Sequence, residues 1–376
     1  MKKELRIGII GTKFMGKAHS HAFIDAPLFF NLPLKPVLQA ACGIDASSLE
    51  TFALRYGWKS WDTSIDKIIN RDDIDLIDIC TPNHLHMSTA IAAAKAGKHI
   101  LCEKPMANNA DDARRMLEAV EKAGVKHMMS FNYRRVPALA LAKKMIDEGK
   151  LGRIFHFNAV YFQDWLVDPD FPYTWRHNKQ LAGSGAHGDL NAHIIDLARF
   201  LTGEFESVCG AEQTFIKERT VIATGQKEKV TVDDAVSFIA HFQNGALGSF
   251  TATRFATGRK NFQRIEIFGS EGSLSFNLER LNELEYYNRN DSQGEQGFRR
   301  ILVTESEHPY MQAWWPTGHI IGWEHTFIHQ FSDMVSAIAE NKAATPDFYD
   351  GLKCQLVLDA VTNSISKEKW ISVPES

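Results

Sequence analysis

Residues 6–19 read RIGIIGTKFMGKAH, and this stretch narrows the fold more than any other in the chain. An apolar run from Ile7 to Ile10 meets Gly11, a second glycine follows at Gly16, and a helix-like segment begins immediately beyond. A buried strand that turns within a few residues into a helix leaves backbone N–H groups pointing outward at the helix start. That is where a pyrophosphate sits in dinucleotide-binding turns. The spacing is nearly Gly-x-Gly-x-x-Gly, with Lys13 at the middle glycine position. Taken alone, such a turn also suits an α/β domain that binds nothing, so its surroundings decide its weight.

Those surroundings are an alternating array. Strand-like runs at Leu5–Ile10, Pro36–Ile44, Leu76–Thr81, His99–Glu103 and Val125–Phe131 are separated by amphipathic helices such as DDARRMLEAVEKAG, with Asn109 as its N-cap and Gly124 as its stop. Short apolar strands joined by helices predict a parallel sheet covered on both faces. Beyond about residue 133 the pattern changes. A helix, PALALAKKMIDEGKLG, leads into the alternating run RIFHFNAVYF, where Phe155, Phe157, Ala159 and Tyr161 are expected on one face and His156 and Asn158 on the other. AVSFIAHF and ALGSFTATRF flank Asn244-Gly245 as a hairpin, and RIEIFGSEGSLSFN reads as another. Residues 286–320 read as a long loop, and the last helices begin near Trp323 and near Asp350. The expected architecture is an α/β Rossmann domain over 1–131 and an α+β domain over 132–376. The latter carries a large open, mainly antiparallel sheet, and its final helices are free to pack back on the first domain.

Composition excludes several function classes. A net charge of -4 without a dense basic cluster gives no footprint for nucleic acid or an anionic membrane. No window approaches the roughly 18 apolar residues of a membrane span, and the start lacks a signal-type apolar core. Five scattered cysteines read as reduced core residues, which points to the cytoplasm. Small-molecule chemistry is what remains.

Four stretches carry that chemistry. In ACGID, Gly43 stands where an acid would take the adenosine ribose and Asp45 follows two later. Either Asp45 reaches back, favouring NAD, or the space at Gly43 admits the 2′-phosphate of NADP. LIDICTPNHLH ends a strand at Thr81-Pro82-Asn83 on the carboxyl edge of the sheet, where open α/β sheets bind ligands; Asn83 also reads as a helix cap and His86 as a first-turn residue. KHILCEKPMA stops abruptly at Glu103-Lys104-Pro105. That is a solvated ion pair or, at a ligand edge, a lysine tuned for electrostatic work and aimed by a cis Lys104–Pro105 bond. GSGAHGDLNAHIIDLARFL places Asp189, His193 and Asp196 on one helical face, opposite an apolar stripe of Ile194, Leu197, Ala198 and Leu201, a grouping suited to general acid/base catalysis. His187 and His193 do not share a helical face and no cysteine is near in sequence, so no metal site is expected.

Jointly these residues resemble the glucose-fructose oxidoreductase, inositol dehydrogenase and rhizopine catabolism family, Gfo/Idh/MocA. The likeness runs through the glycine turn, CTPNHLH, EKP, FNYRRVPA, GKLGRI, WRHNKQLAGSGAHGDLNAHIIDLARFL and IEIFGSEGSLSF. It implies NAD(H) or, as the alternative, NADP(H), held by Gly11, Thr12, Lys13, Phe14, Met15, Gly16, Gly43, Asp45, Thr81, Pro82, Asn83, His86, Glu103, Lys104 and Asn132. It also implies Lys104, Asp189 and His193 as the catalytic set, and a homodimer or homotetramer. The expected reaction moves a hydride between the nicotinamide and a secondary hydroxyl of a sugar, glycoside or inositol-type polyol, with His193 as base. A glycosidase-like enzyme using transient oxidation and a non-catalytic regulator are the alternatives. Specificity is expected from Tyr161, Gln163, Trp165, Asp168, Trp175, Arg176, Arg254, His319 and Trp323, whose aromatic faces and polar groups suit a sugar ring. The chain departs from the family pattern at Lys13, Gly43 and Asn191.

Overall fold

A computed structural model describes residues 2–375, so Met1 and Ser376, the ends of the two expected domain ranges, lie outside it. The chain forms two units.

The first unit takes the chain up to Arg135 together with Gly322–Leu352. In order it holds β1 (Glu4–Ile10), α1 (Phe14–Phe29), β2 (Lys35–Cys42), α2 (Ala46–Tyr56), β3 (Trp61–Asp62), α3 (Ile65–Ile69), β4 (Leu76–Ile79), α4 (His86–Lys95), β5 (His99–Cys102), α5 (Ala110–Ala123) and β6 (His127–Met129). Its six strands run in the order β3-β2-β1-β4-β5-β6, and every pair is parallel. The reason is visible in β4, whose residues are buried without alternation, as a strand covered on both faces requires. Asn109 caps α5 by accepting the Asp112 amide at 2.9 Å, and Gly124 ends it with φ 65°. The strand β3 is too short and too polar to register as an apolar run. Far along the chain, α9 (His325–Ala339) belongs to this unit, its Phe331 ring 4.5 Å from Phe23 of α1.

The second unit takes Val136–Ile321 and the chain from Lys353 on, so the division falls within α10 (Phe348–Lys367). It holds α6 (Pro137–Asp147), β7 (Ile154–Phe162), α7 (Lys179–Ala182), α8 (Ala192–Leu201), β8 (Phe205–Gln213), β9 (Glu218–Thr220), β10 (Lys227–Lys229), β11 (Ala235–Phe242), β12 (Leu247–Thr253), β13 (Phe262–Gly269), β14 (Gly272–Asn277), β15 (Glu283–Asn288), β16 (Arg299–Leu302) and β17 (Ile371–Ser372). A nine-stranded sheet runs β16-β15-β14-β13-β7-β12-β11-β8-β17. Its pairs are antiparallel except β12 with β7. The Asn244-Gly245 turn joins β11 to β12, with Gly245 at φ 84°.

Three expectations for this unit are corrected. Phe155 does not share the inner face with Phe157, Ala159 and Tyr161. Opposite it the register slips, Phe268 pairing with His156 and Gly269 with Ile154, and the unpaired Phe155 turns outward, 44% exposed. The 286–320 stretch is not all loop, since it ends β15 and supplies β16 as an edge strand. And Asp189, His193 and Asp196 do not lie on one regular α-helix: Asp189 is in a π-turn over His187–Asn191, and α8 begins at Ala192 with His193, Asp196 and Arg199 buried.

Candidate active site

In the first unit the glycine turn is tight enough to exclude side chains. A Cβ on Gly11, whose φ is 105°, would stand 2.3 Å from the Cys80 carbonyl oxygen, and one on Gly16 would stand 2.0 Å from the Gly11 oxygen. Strand and helix therefore approach with backbone alone between them. Lys13 occupies the N-cap of α1 without any side-chain cap hydrogen bond, and no acid lies in the first turn. The leading amides of α1 and their partial positive charge are thus directed at whatever lies above the turn, the arrangement that holds a pyrophosphate. Thr81 Oγ1, at the neighbouring strand end, is buried without a hydrogen-bond partner. Both observations fit a dinucleotide.

The other residues expected around the cofactor separate into two groups. Gly43 lies against Thr12, where a Cβ would come within 3.1 Å of Thr12 Oγ1, so the acid often found at such a position would crowd Thr12. Asp45 Oδ2 accepts the Ser48 amide at 2.8 Å as the N-cap of α2. That carboxyl lies below its usual range through the Ser48 hydrogen bonds first, with the Lys13 charge a smaller contribution. Exposed Phe14 stacks on Trp323, centroids 5.5 Å apart and planes within 8°, while Met15 is partly covered beside it and Pro82 introduces a short 3-10 turn over Asn83–Leu85.

By contrast, His86, Glu103 and Asn132 are turned inward. The His86 ring lies 2.9 Å from the Pro105 carbonyl and 3.0 Å from that of Thr81, bracing two strand ends; burial lowers its pKa. Asn132 Nδ2 donates to Thr326 Oγ1 at 2.9 Å. Nor is Glu103 half of a solvated ion pair. Its Oε1 lies 3.0 Å from His19 Nε2 and its Oε2 accepts the Lys104 amide at 3.1 Å. The Lys104–Pro105 bond is cis.

In the second unit, polar side chains from distant segments converge. Asp233 accepts the amides of Gly185 at 2.7 Å and His187 at 2.8 Å, and Gly185 comes so close that a Cβ would lie 1.7 Å from the Asp233 oxygen. This anchors the glycine-rich loop as it enters a π-turn, His187–Asn191, a local widening of the helix that recurs at functional sites. His187 is a latch: Asn191 Nδ2 donates to its Nδ1 at 3.0 Å, which leaves Nε2 to donate to the Leu358 carbonyl at 2.9 Å. Asn191 thus fixes a tautomer.

Asp189 Oδ2 accepts from Arg254 Nη2 at 2.8 Å, and the buried Arg254 guanidinium lies over the Trp165 ring, 5.4 Å from its centroid. Trp165 Nε1 donates to Gln163 Oε1 at 2.8 Å, while Gln163 Nε2 and the Tyr161 hydroxyl both reach Asn261 Oδ1, at 2.8 and 2.9 Å. Tyr161 in turn lies against the His193 ring, centroids 5.9 Å apart. Arg176 stacks on Trp175 at 4.5 Å and has Asp189 and Arg254 as charged neighbours. His193, Tyr161, Gln163, Trp165, Arg254, Asp189, Arg176 and Trp175 therefore form one connected cluster. Three candidates fall outside it, Trp323 among them, which belongs to the first unit and stacks on Phe14. His319 is exposed, its Nδ1 taken by the Pro316 carbonyl at 2.7 Å, and Asp168 accepts the Asp170 amide in its own turn. Asn261, which joins Tyr161 and Gln163, carries no sequence signal beyond following a turn. Chemically, a carboxylate, an imidazole, two guanidiniums and two indoles provide proton transfer, hydroxyl binding and ring stacking together.

Comparison with known proteins places the chain in a family of oxidoreductases. Residues 5–131 match the family described as "Oxidoreductase family, NAD-binding Rossmann fold", and residues 139–275 match the "GFO/IDH/MocA C-terminal domain". Levoglucosan dehydrogenase from Pseudarthrobacter phenanthrenivorans is 43% identical, covering 99% of both chains. A crystal structure of an oxidoreductase domain protein from Kribbella flavida is 50% identical with a TM-score of 0.97, covering 99% of this chain and 100% of that one. A levoglucosan dehydrogenase complex with NADH and levoglucosan is 44% identical with a TM-score of 0.97, covering 100% of both.

Proposed function

Since the chain belongs to the Gfo/Idh/MocA family of NAD-binding oxidoreductases, we propose that it oxidises a secondary hydroxyl of a neutral sugar ring of the levoglucosan kind, with NAD as the hydride acceptor. The observation that carries the reading is the glycine turn: two glycines that admit no Cβ, at the foot of a helix whose first amides no side chain caps. The substrate class is supported by likeness to levoglucosan dehydrogenase along the full length of both chains.

When bound over the α1 N-terminus, NAD supplies the acceptor for the carbinol hydride. The chain supplies the rest. As the carbinol carbon loses hydride and its C–O bond becomes C=O, the hydroxyl proton leaves to His193, which Tyr161 packs in place. Lys104 stabilises the negative charge that grows on the reacting oxygen. Asp189, held by Arg254, accepts a neighbouring hydroxyl of the ring. Trp165 and Trp175 offer apolar faces to the ring. Asp45 and Lys13 set the preference for NAD at the adenosine end. The protein works in the cytoplasm as a homo-oligomer, assembled through the outer face of the nine-stranded sheet, where Phe155, Ile239 and Leu247 are exposed.

The test is a panel of anhydro-sugars, hexoses and cyclitols assayed with NAD and NADP separately, following nicotinamide absorbance. The expected result is the highest kcat/KM for levoglucosan with NAD. An inositol preferred over every sugar would overturn the substrate class, and NADP preferred with all of them would overturn the cofactor assignment.

A further inference from the structure

A second polar cluster lies buried in the first unit, and nothing in the reaction as described uses it. At its centre is His19 on α1, only 1% exposed. Its Nδ1 lies 3.0 and 2.9 Å from the two oxygens of Asp78 on β4, and its Nε2 lies 3.0 Å from Glu103 Oε1 at the end of β5. Ser130 Oγ lies 3.4 Å from the same Nε2 and accepts from Gln330 of α9 at 2.9 Å. The Cys80 thiol is 3.4 Å from Nδ1, and burial pushes it up, so it remains neutral. Phe327 and Phe23 pack against the ring, at 5.3 and 6.3 Å, and exclude water from it.

A neutral imidazole has a single N–H, so between two ionised carboxylates only the imidazolium donates to both. Burial opposes that charge and also raises the Asp78 carboxyl, His19 only partly offsetting it, yet Asp78 next to the ring still raises the His19 pKa well above the ordinary value. Glu103 shows the reciprocal effect: burial alone would push it up, yet the His19 hydrogen bond and charge, with Lys104 nearby, hold it below its usual value. The Oε2 that His19 leaves open takes the Lys104 amide at 3.1 Å.

We propose that His19 is a positioning residue: as an imidazolium locked between Asp78 and Glu103, it fixes the carboxylate that grips the Lys104 amide, and thereby sets where the Lys104 ammonium stands. The same helix that opens at the glycine turn then also orients the lysine. The proposal rests on the role assigned to Lys104 above.

The experiment compares the full-length His19→Gln, Glu103→Gln, Lys104→Met and Glu103→Gln/Lys104→Met enzymes with NAD and levoglucosan. A misplacement of the lysine of order 1 Å lowers kcat roughly 10- to 100-fold in each of the first two, with the KM for NAD within about threefold of wild type. Glu103→Gln, being isosteric, carries the test if His19→Gln does not fold. In the Lys104→Met background Glu103→Gln has no further effect; a fall there equal to that in the wild type overturns the proposal. Wild-type turnover by Lys104→Met instead overturns the role of Lys104 itself. Independently, nitrogen-15 histidine spectra should show both ring protons on His19 at neutral pH. A neutral ring, or stoichiometric zinc bound by His19, Asp78 and Cys80, overturns the proposal whatever Lys104 does.

Discussion

The glycine turn of the first unit and the polar cluster of the second reach function by opposite routes. The turn is made of backbone: Gly11 and Gly16 matter for atoms they lack, and all its parts lie within one short stretch. The cluster is made of side chains from β7, the loops around it, the π-turn, the end of β12 and Asn261, each oriented by the next. A backbone site tolerates change everywhere except at its glycines, whereas a side-chain network degrades in steps.

That contrast predicts a ranking of effects. His193→Ala should lower kcat by about 10²–10⁴-fold with little change in NAD affinity, read by steady-state kinetics and cofactor titration. A loss below tenfold would take His193 out of the proton transfer. Gly16→Ala should do the reverse, weakening NAD about 100-fold through a clash of order 3 kcal/mol, measured by fluorescence titration. Undiminished NAD binding would mean that the turn is not the phosphate site.

Third comes an acid limb in stability. His177 caps the Thr174 turn, and burial, with the charges of Arg219 and Arg254, lowers its pKa from 6.5 to about 4. Above pH 6.5 it is neutral folded or unfolded and contributes nothing to pH dependence. As pH falls from 6.5 to 4 only the unfolded chain takes the proton, so roughly 3 kcal/mol of stability should be lost over that window. Denaturant midpoints of the wild type and His177→Gln, compared across those pH values, check this; parallel curves would refute it. Arg254→Met should destabilise the fold by about 2 kcal/mol and raise substrate KM, because Asp189 loses its partner while the apolar stem is kept. Asn261→Ala is smallest, about 1 kcal/mol in substrate KM with kcat nearly unchanged, since it orients Tyr161 and Gln163 from behind.

How much of this was legible follows the same contrast. The parallel array and the glycine turn could be read because period, glycine and strand–helix spacing are local properties. The Phe155 bulge could not, as it is imposed by where β13 slips against β7. The surroundings of His193 were hidden for a related reason: spacing gives the face it shares with Asp196, but only the fold shows that β7 places Tyr161 against it. Asn261 was invisible because its partners are about a hundred residues away. His19 did have a signal that went unused. Asp78 sits within the four-residue apolar strand LIDI, and a carboxylate so placed needs a buried cation, which a histidine one turn past Gly16 can provide.

One feature of the first unit bears on how the chain is made. Its α1 face at Phe23 is covered by Phe331, more than three hundred residues downstream in α9. During synthesis the nucleotide-binding half emerges first yet stays unfinished, with that apolar face exposed, until nearly the whole second unit has left the ribosome. A fragment ending at Arg135 should consequently aggregate, and a swap of cofactor-binding halves between relatives must carry Gly322–Leu352 along with it.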